Sequence, residues 1–266
     1  MSVLLHISDP HFGTEQPLVV EALARFALQQ RPDLTVLSGD ITQRAGREQF
    51  LAARRFVDRL GTPVLAIAGN HDIPLLDLRA RLLAPHARQR AVFGDDLEPV
   101  FSSSDLLVVC VNTTRRWRHK NGQVSTGQIE HVAQLLAGAS HAQLRVVVVH
   151  QPAEVMREQD VPDRLRGHNA ALQRWAETGA DLVLGGHIHL PYVLAITRFA
   201  RPLWIVQAGT AVSSRVRAGV PNSVNLIRDG AAAADGQCAI EQWDYSPALQ
   251  AFVCARVSPV EPARGH

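Results

Sequence analysis

Asp9, His11, Asp40, Asn70, His150, His187 and His189 are oxygen or imidazole-nitrogen donors, and each follows a short apolar run. Such a donor set suits Mn, Fe, Zn or Co better than calcium or a thiolate-bound ion. Seven donors are too many for one tetrahedral ion and suit two ions that share a carboxylate. Asp9-Pro10-His11 and His187-Ile188-His189 place both donors on one side of an extended segment, because side chains alternate with a period of two. Neighbouring glycines, such as Gly39, Gly69 and Gly186, let the backbone bend tightly there. Singly, each piece is ordinary: Asp-Pro-His reads as a turn, and His150 reads as a strand-end histidine with a backbone partner. Together, in order, each behind an apolar run, they make a pattern that turns alone do not explain.

The elements that carry these residues read as buried strands. Val146-Val147-Val148-Val149 is a run of β-branched residues suited to a strand covered on both faces. It stops at His150, and Pro152 prevents its continuation. Residues 3–8, 34–38, 63–67 and 182–184 repeat the construction. Open α/β sheets bind ligands at the carboxyl ends of such strands. Helices are expected over about 17–30, 46–60, 75–84, 126–137 and 168–178. Strands are expected near 98–103 and 106–111, and long loops over 112–124 and 151–163. After His189 the pattern changes to a β-meander over 192–197, 203–207, 223–228, 237–244 and 251–257, with turns at Gly230 and Asp235-Gly236. The fold class is therefore α/β, with two packed mixed β-sheets flanked by helices. Residues 1–257 form one domain, and 258–266 a flexible C-terminal tail.

The 266 residues suit one large α/β domain, and a formal net charge of +2 is too small to imply nucleic-acid or membrane binding by itself. Cys110, Cys238 and Cys254 fit no zinc or C-x-x-C spacing and read as buried thiols. No apolar run approaches the length of a membrane span, and no basic stretch followed by a long apolar run opens the chain. A cytoplasmic location is the expectation.

The series Asp-x-His, Gly-Asp, Gly-Asn-His-Asp, His and Gly-His-x-His, spread over residues 9–189, resembles that of the calcineurin-like metallophosphoesterase family. It is most similar to the bacterial class III cyclic-nucleotide phosphodiesterase branch in Ile-Ser-Asp-Pro-His-Phe, Gly39-Asp40-Ile41-Thr42 and Gly209-Thr210-Ala211-Val212-Ser213-Ser214. Gln151 departs from that branch, which often has a second histidine there. The resemblance implies a four-layer α/β/β/α sandwich. It also implies a dinuclear site: Asp9, His11, Asp40 and His189 around one ion, and Asp40, Asn70, His150 and His187 around the other. It gives His71 the role of general acid and Asp72 that of orienting its imidazole, with hydrolysis by in-line attack of a hydroxide formed on the metal pair.

A small phosphodiester, 3′,5′-cyclic nucleotides first, is the substrate this implies. The alternatives are a nuclease, a nucleotide-sugar-lipid pyrophosphatase, or a non-catalytic interaction protein on the same fold. Nucleic acid is not expected, for lack of a long basic stripe. A homodimer is a family-level expectation. Arg215 and Arg217 are substrate candidates because they follow Gly209-Thr210. Arg115, Arg116, Trp117, Arg118, His119 and Lys120 form the densest basic cluster. It reads first as a solvated loop or subunit contact and second as a loop that touches phosphate or stacks on a base.

Overall fold

A computed structural model of the chain describes residues 2–118, 120–230 and 237–262. The first third runs β1 (Ser2–Ile7), α1 (Pro17–Gln30), β2 (Leu34–Ser38), α2 (Arg47–Val57), β3 (Val64–Ile67), α3 (Leu78–Leu83) and α4 (Ala87–Phe93). The middle runs β4 (Val100–Ser102), β5 (Leu106–Cys110), α5 (Thr126–Ala137), β6 (Leu144–Val148), α6 (His168–Glu177) and β7 (Leu182–Gly185). The last part is β8 (Tyr192–Ile196), β9 (Leu203–Gln207), β10 (Ser223–Asp229), β11 (Cys238–Ser246) and β12 (Ala251–Val260).

Two six-stranded sheets result, ordered β12-β11-β10-β1-β2-β3 and β4-β5-β6-β7-β9-β8. Both centres are parallel: β1 with β2 and β3, and β5 with β6, β7 and β9. The apolar residues alternate between two environments. Leu4, Val36 and Ile67 of the first sheet meet Val108, Val146 and Leu184 of the second between the layers. Leu5 and Leu37 face outward onto Leu23 and Phe26 of α1 and Phe50 and Phe56 of α2. Val147 and Val183 face outward onto Ile129 of α5 and Leu172 and Trp175 of α6. This is the four-layer α/β/β/α sandwich.

Helix ends follow local chemistry. Pro17 occupies the first turn of α1, where its missing N–H costs nothing, and Arg31 closes the helix at φ 49°. Ser125 caps α5 by accepting from Gln128 N at 3.2 Å, and Gln128 Oε1 accepts from Ser125 N at 3.0 Å. Trp175 is fully buried and donates from Nε1 to Ile129 O at 3.3 Å. Trp175→Ala is expected to cost roughly 3–5 kcal/mol by opening the α5–α6 layer.

Several expectations change. The meander divides: β8 and β9 complete the second sheet, and only β10–β12 form consecutive hairpins beside β1. The helix expected over 75–84 shortens to α3, and the unforeseen α4 follows it. The 151–163 loop contains a 3-10 turn at Glu158–Asp163. β12 continues to Val260, because its last residues pair with Cys238–Ile240, so the expected tail from 258 begins as strand. The expected Asp235-Gly236 turn, His119 and residues 263–266 lie outside the described residues. Cys110 and Cys238 are buried, but Cys254 is exposed on the outermost strand. Among the described residues, no helix is long and apolar enough to cross a membrane.

Candidate metal centre

The carboxyl ends of β1, β2, β3, β6 and β7 meet at one edge of the sandwich. The segments beyond them are laced together by backbone. Asp9 N donates to Gly39 O at 3.1 Å and His11 N to Asp40 O at 3.0 Å; Gly186 N donates to His150 O at 2.8 Å. His187 N donates to Asp9 Oδ2 at 2.8 Å, as does Ser8 Oγ at 2.6 Å, so the two sheets are joined through one carboxylate. Two glycines are required by proximity: a Cβ at Gly186 would overlap Ser8 Oγ and Asp9 Oδ2, and one at Gly69 would overlap Asp40.

These turns hold their residues in an uncommon conformation. Asp9, His11, Asp40, His187 and His189 have φ of 51°, 44°, 47°, 73° and 53°. They are five of the eight non-glycine residues with positive φ among the described residues. The left-handed region costs an ordinary residue about 1–2 kcal/mol, so backbone strain is concentrated on the donors themselves.

The donors form two groups that share Asp40. In the first, His189 Nε2 lies 3.3 Å from Asp9 Oδ1 and 3.1 Å from His11 Nε2, and His11 Nε2 lies 3.7 Å from Asp40 Oδ2. In the second, His150 Nε2 lies 3.3 Å from Asp40 Oδ1 and 3.3 Å from Asn70 Oδ1, with the His187 ring 5.2 Å from the His150 ring. Backbone carbonyls fix two of the imidazoles. His150 Nδ1 donates to Ser38 O at 2.8 Å and His189 Nδ1 to Arg215 O at 2.7 Å, so each presents Nε2 to the cluster. Both ring nitrogens of His187 are buried with no hydrogen-bond partner among the described residues, and Asp9 Oδ1 has His189 Nε2 and, farther off, His11 Nε2 beside it. Buried polar atoms are normally satisfied. One His187 nitrogen falls within the group formed with Asp40 and His150, and Asp9 falls within the group formed with His11 and His189, so the donor set fits two metal ions.

The electrostatics agree with that geometry. Burial would raise the Asp9 carboxyl, but the adjacent His189 and His150 hold it well below the usual range. Burial likewise opposes ionisation of Asp40, yet His150 and His11 keep it low. Burial would lower His150, but the Asp40 carboxylate raises it to about 9. Burial takes His11 and His187 down to about 4.

His71 and Asp72 follow Asn70 in a tight turn. His71 Nδ1 donates to Gln43 O at 2.9 Å, and its Nε2 is 3.3 Å from Arg215 Nη1. The expected contact between Asp72 and the His71 imidazole is not among those the carboxylate makes. It accepts from Ile41 N at 2.9 Å, Thr42 N at 2.8 Å, Thr42 Oγ1 at 2.8 Å and Gly69 N at 2.8 Å. It thereby fixes the segment leading to Gln43, and Gln43 orients the imidazole. Burial and the Asp40 charge push the Asp72 carboxyl up to about 7 against those four donors.

The two arginine candidates separate. Arg215 lines a cleft of about 300 Å3 with His11, Asp40, Asn70, His71, His187, His189 and Lys120, and donates to Gln43 Oε1 at 2.9 Å. Arg217 is engaged elsewhere: Nη2 lies 3.0 Å and Nη1 3.2 Å from the Asp160 carboxylate, and Nη1 donates to Ile188 O at 3.2 Å. Of the described residues of the basic loop, only Lys120 lines the cleft, and its Nζ is 2.6 Å from Asp163 Oδ1. Gln151 is buried and ties that loop to the end of β6, accepting from Thr113 Oγ1 at 2.6 Å and donating to Lys120 O at 3.3 Å. Gln43 was not singled out from sequence. Its position three residues after Asp40 was the available signal.

Two mixed sheets between helices, with a His/Asp cluster across their carboxyl edge, define the class of dinuclear metallophosphoesterases. The calcineurin-like phosphoesterase profile matches residues 2–191, and the chain belongs to that family, which uses a dinuclear metal centre. It is 26% identical over 175 residues to a protein of Synechococcus sp. named as a probable cyclic nucleotide phosphodiesterase, a match covering 62% of this chain and 61% of that one. It is 36% identical over 81 residues to the glycerophosphodiester phosphodiesterase GpdQ of Enterobacter lignolyticus, covering 26% of this chain and 29% of that one. The matches thus span about three fifths and under a third of those relatives. A dimetal phosphatase from Danio rerio shares the fold, with a TM-score of 0.68 at 13% identity over 98% of this chain and 99% of that one.

Proposed function

We propose that the chain is a metal-dependent phosphodiesterase for small diesters, with 3′,5′-cyclic nucleotides the first candidates. Asp9, His11, Asp40 and His189 hold one ion and Asp40, Asn70, His150 and His187 the other, Mn, Fe, Zn or Co being compatible with these donors. The observation that carries this reading is the convergence of buried donors in two groups, Asp9, His11 and His189 and Asp40, His150 and His187, with the His187 ring lacking any hydrogen-bond partner among the described residues. When bound, the metal pair supplies Lewis-acid polarisation of the phosphoryl group and activation of water as nucleophile.

The chain's own residues bind the diester and manage the proton. Arg215 offers a planar pair of donors to the phosphoryl oxygens. His71 donates a proton from Nε2 to the departing oxygen, its ring steadied by Gln43 O. Arg215 Nη1 donates toward His71 Nε2 at 3.3 Å, so a phosphate that takes the guanidinium as its partner frees Nε2 to face the departing oxygen. Asp72 acts through the 41–43 segment rather than on the ring. The relatives' names support a diester and leave a glycerophosphodiester as the second candidate. A purely non-catalytic role would leave the converging donors without a purpose.

The test is turnover of a chromogenic phosphodiester and the matching monoester by chelator-treated protein, before and after Mn²⁺. Diester turnover restored well above monoester turnover is the expected result. Preference for the monoester would overturn the substrate class, and two bound ions with no turnover of either would overturn the enzymatic reading.

A further inference from the structure

The helix α3 and the basic loop that leads to the cleft-lining Lys120 are built inside out. In α3, Arg81 is buried and the leucines are exposed. Arg81, 8% exposed, donates from Nη1 to Pro74 O at 3.3 Å and from Nη2 to Arg118 O at 2.7 Å. Leu83 is 80% exposed and Leu76, just before the helix, 90%; Leu78 and Leu82 are exposed as well. Residues two positions from Arg81 project from the opposite side of a helix, so Arg79 and Leu83 share the outermost face.

The basic loop is fastened to the same patch. Arg116 donates from Nη1 to Leu82 O at 2.7 Å, and its guanidinium lies 5.8 Å from the ring centroid of Trp117, which is 67% exposed. The loop then reaches the cleft through Lys120. Contiguous exposed apolar surface of this kind marks a contact site.

Charge decides what it contacts. Two nearby carboxylates are engaged: Asp77 caps α3 and lies 2.9 Å from Arg88, and Asp163 holds Lys120. Arg79 and Arg116 have no carboxylate partner among the described residues. A two-fold contact between copies would set these cations against each other in an apolar interface, which is costly. Leucines and an indole rimmed by Arg79, Arg90 and Arg116, an excess of cations over the single carboxylate Asp95 that shares a hollow with Leu83, instead match the boundary between acyl chains and anionic headgroups. Arginine stems can lie along the apolar layer while their heads stay among the headgroups.

We propose that this rim docks the chain on an anionic lipid surface, with Leu76, Leu83 and Trp117 at the interface and the cleft mouth beside the headgroups. Docking is separable from the reaction in the cleft, since none of these three residues lines it.

The experiment is co-sedimentation with vesicles of equal phosphatidylglycerol and phosphatidylcholine, against vesicles of phosphatidylcholine alone. The unaltered chain is expected to prefer the anionic vesicles by about tenfold, with the preference reduced by salt. Leu83→Ser/Trp117→Ser should weaken binding by at least about tenfold, and Arg79→Gln by about fivefold. Melting temperature and turnover of a soluble chromogenic diester should be unchanged in each, which separates loss of docking from loss of the catalytic site. No preference for anionic vesicles, or binding that neither variant weakens, overturns the proposal. A concentration-dependent dimer abolished by Leu83→Ser/Trp117→Ser overturns it in favour of a second copy.

Discussion

At the floor of the cleft, Asp9, His11 and His150 are fully buried polar groups, held by backbone and side chains from other strands. At its rim, Leu76, Leu83 and Trp117 are large apolar groups facing solvent, next to a buried arginine. Both regions reverse the usual sorting of residues by polarity, and they do so differently. The floor accepts buried charge and left-handed backbone, and its geometry is fixed by many short contacts. The rim accepts exposed hydrocarbon, held by a few hydrogen bonds from Arg81 and Arg116. The floor is suited to chemistry, where position matters within fractions of an ångström. The rim is suited to contact, where area and charge matter more.

Substitutions at the floor should give the largest effects and should separate metal from proton. Asp40→Ala removes the shared donor, so both ions should be lost and turnover should fall by roughly 10³ or more; two ions still bound, counted by elemental analysis, would exclude the bridging role. His71→Ala should keep the metal content and lower kcat by about 10²–10⁴. Metal loss in that variant would count against the proton-donor assignment.

Moving outward, the two arginines should diverge. Arg215→Gln should raise KM for the diester by about tenfold. Arg217→Gln should leave KM and kcat alone and lower stability by roughly 1–3 kcal/mol by leaving the buried Asp160 unpaired. A KM effect at Arg217 would return it to the substrate site.

The smallest contrast is in pH dependence. His6, beneath the floor, is held down to about 3 by burial and lies 2.8 Å from Ser38 Oγ through Nε2. His86, behind the rim, is held down to about 4 by burial. Both folded values lie below the unfolded value, so the unfolded chain binds more protons as pH falls. Their contribution is complete above pH 6.5 and is lost as pH drops toward those values. Each adds at most about 1.4 kcal/mol per pH unit to the slope. Denaturant unfolding from pH 7 to pH 4.5 should show the loss, and His6→Asn and His86→Asn should each flatten the curve to a similar extent. A variant that leaves the curve unchanged would mean that its histidine is not held neutral by burial.

The floor was legible in the sequence because a buried parallel strand announces itself by β-branched runs, and each donor stands where a run stops. The series behind Asp9, Asp40, Asn70, His150 and His187 needed no knowledge of which strands are neighbours. The division of the last five strands between two sheets did need it, since a hairpin reads the same in either sheet. The resemblance gave Asp72 the orienting of the His71 imidazole, and nothing local in the sequence shows that the tight turn aims the carboxylate at Ile41 and Thr42. Arg215 and Arg217 were indistinguishable because their difference is made by Asp160, far away in sequence. The inversion of α3 was hidden because leucines four residues apart, as at 78 and 82, normally mark an inward face.

The carboxylate of Asp9 and the backbone of His187 are 178 positions apart and belong to different sheets. An ion seated among Asp9, His11 and His189 would act on that seam as a removable cross-link, closing a long loop of chain as a disulfide does. Metal supply would then set the lifetime of the protein as well as its activity, since binding to the folded state alone raises stability with free metal concentration. Under chelation the sandwich should first part along its carboxyl edge, exposing the 186–191 segment to proteolysis while the sheet centres still hold.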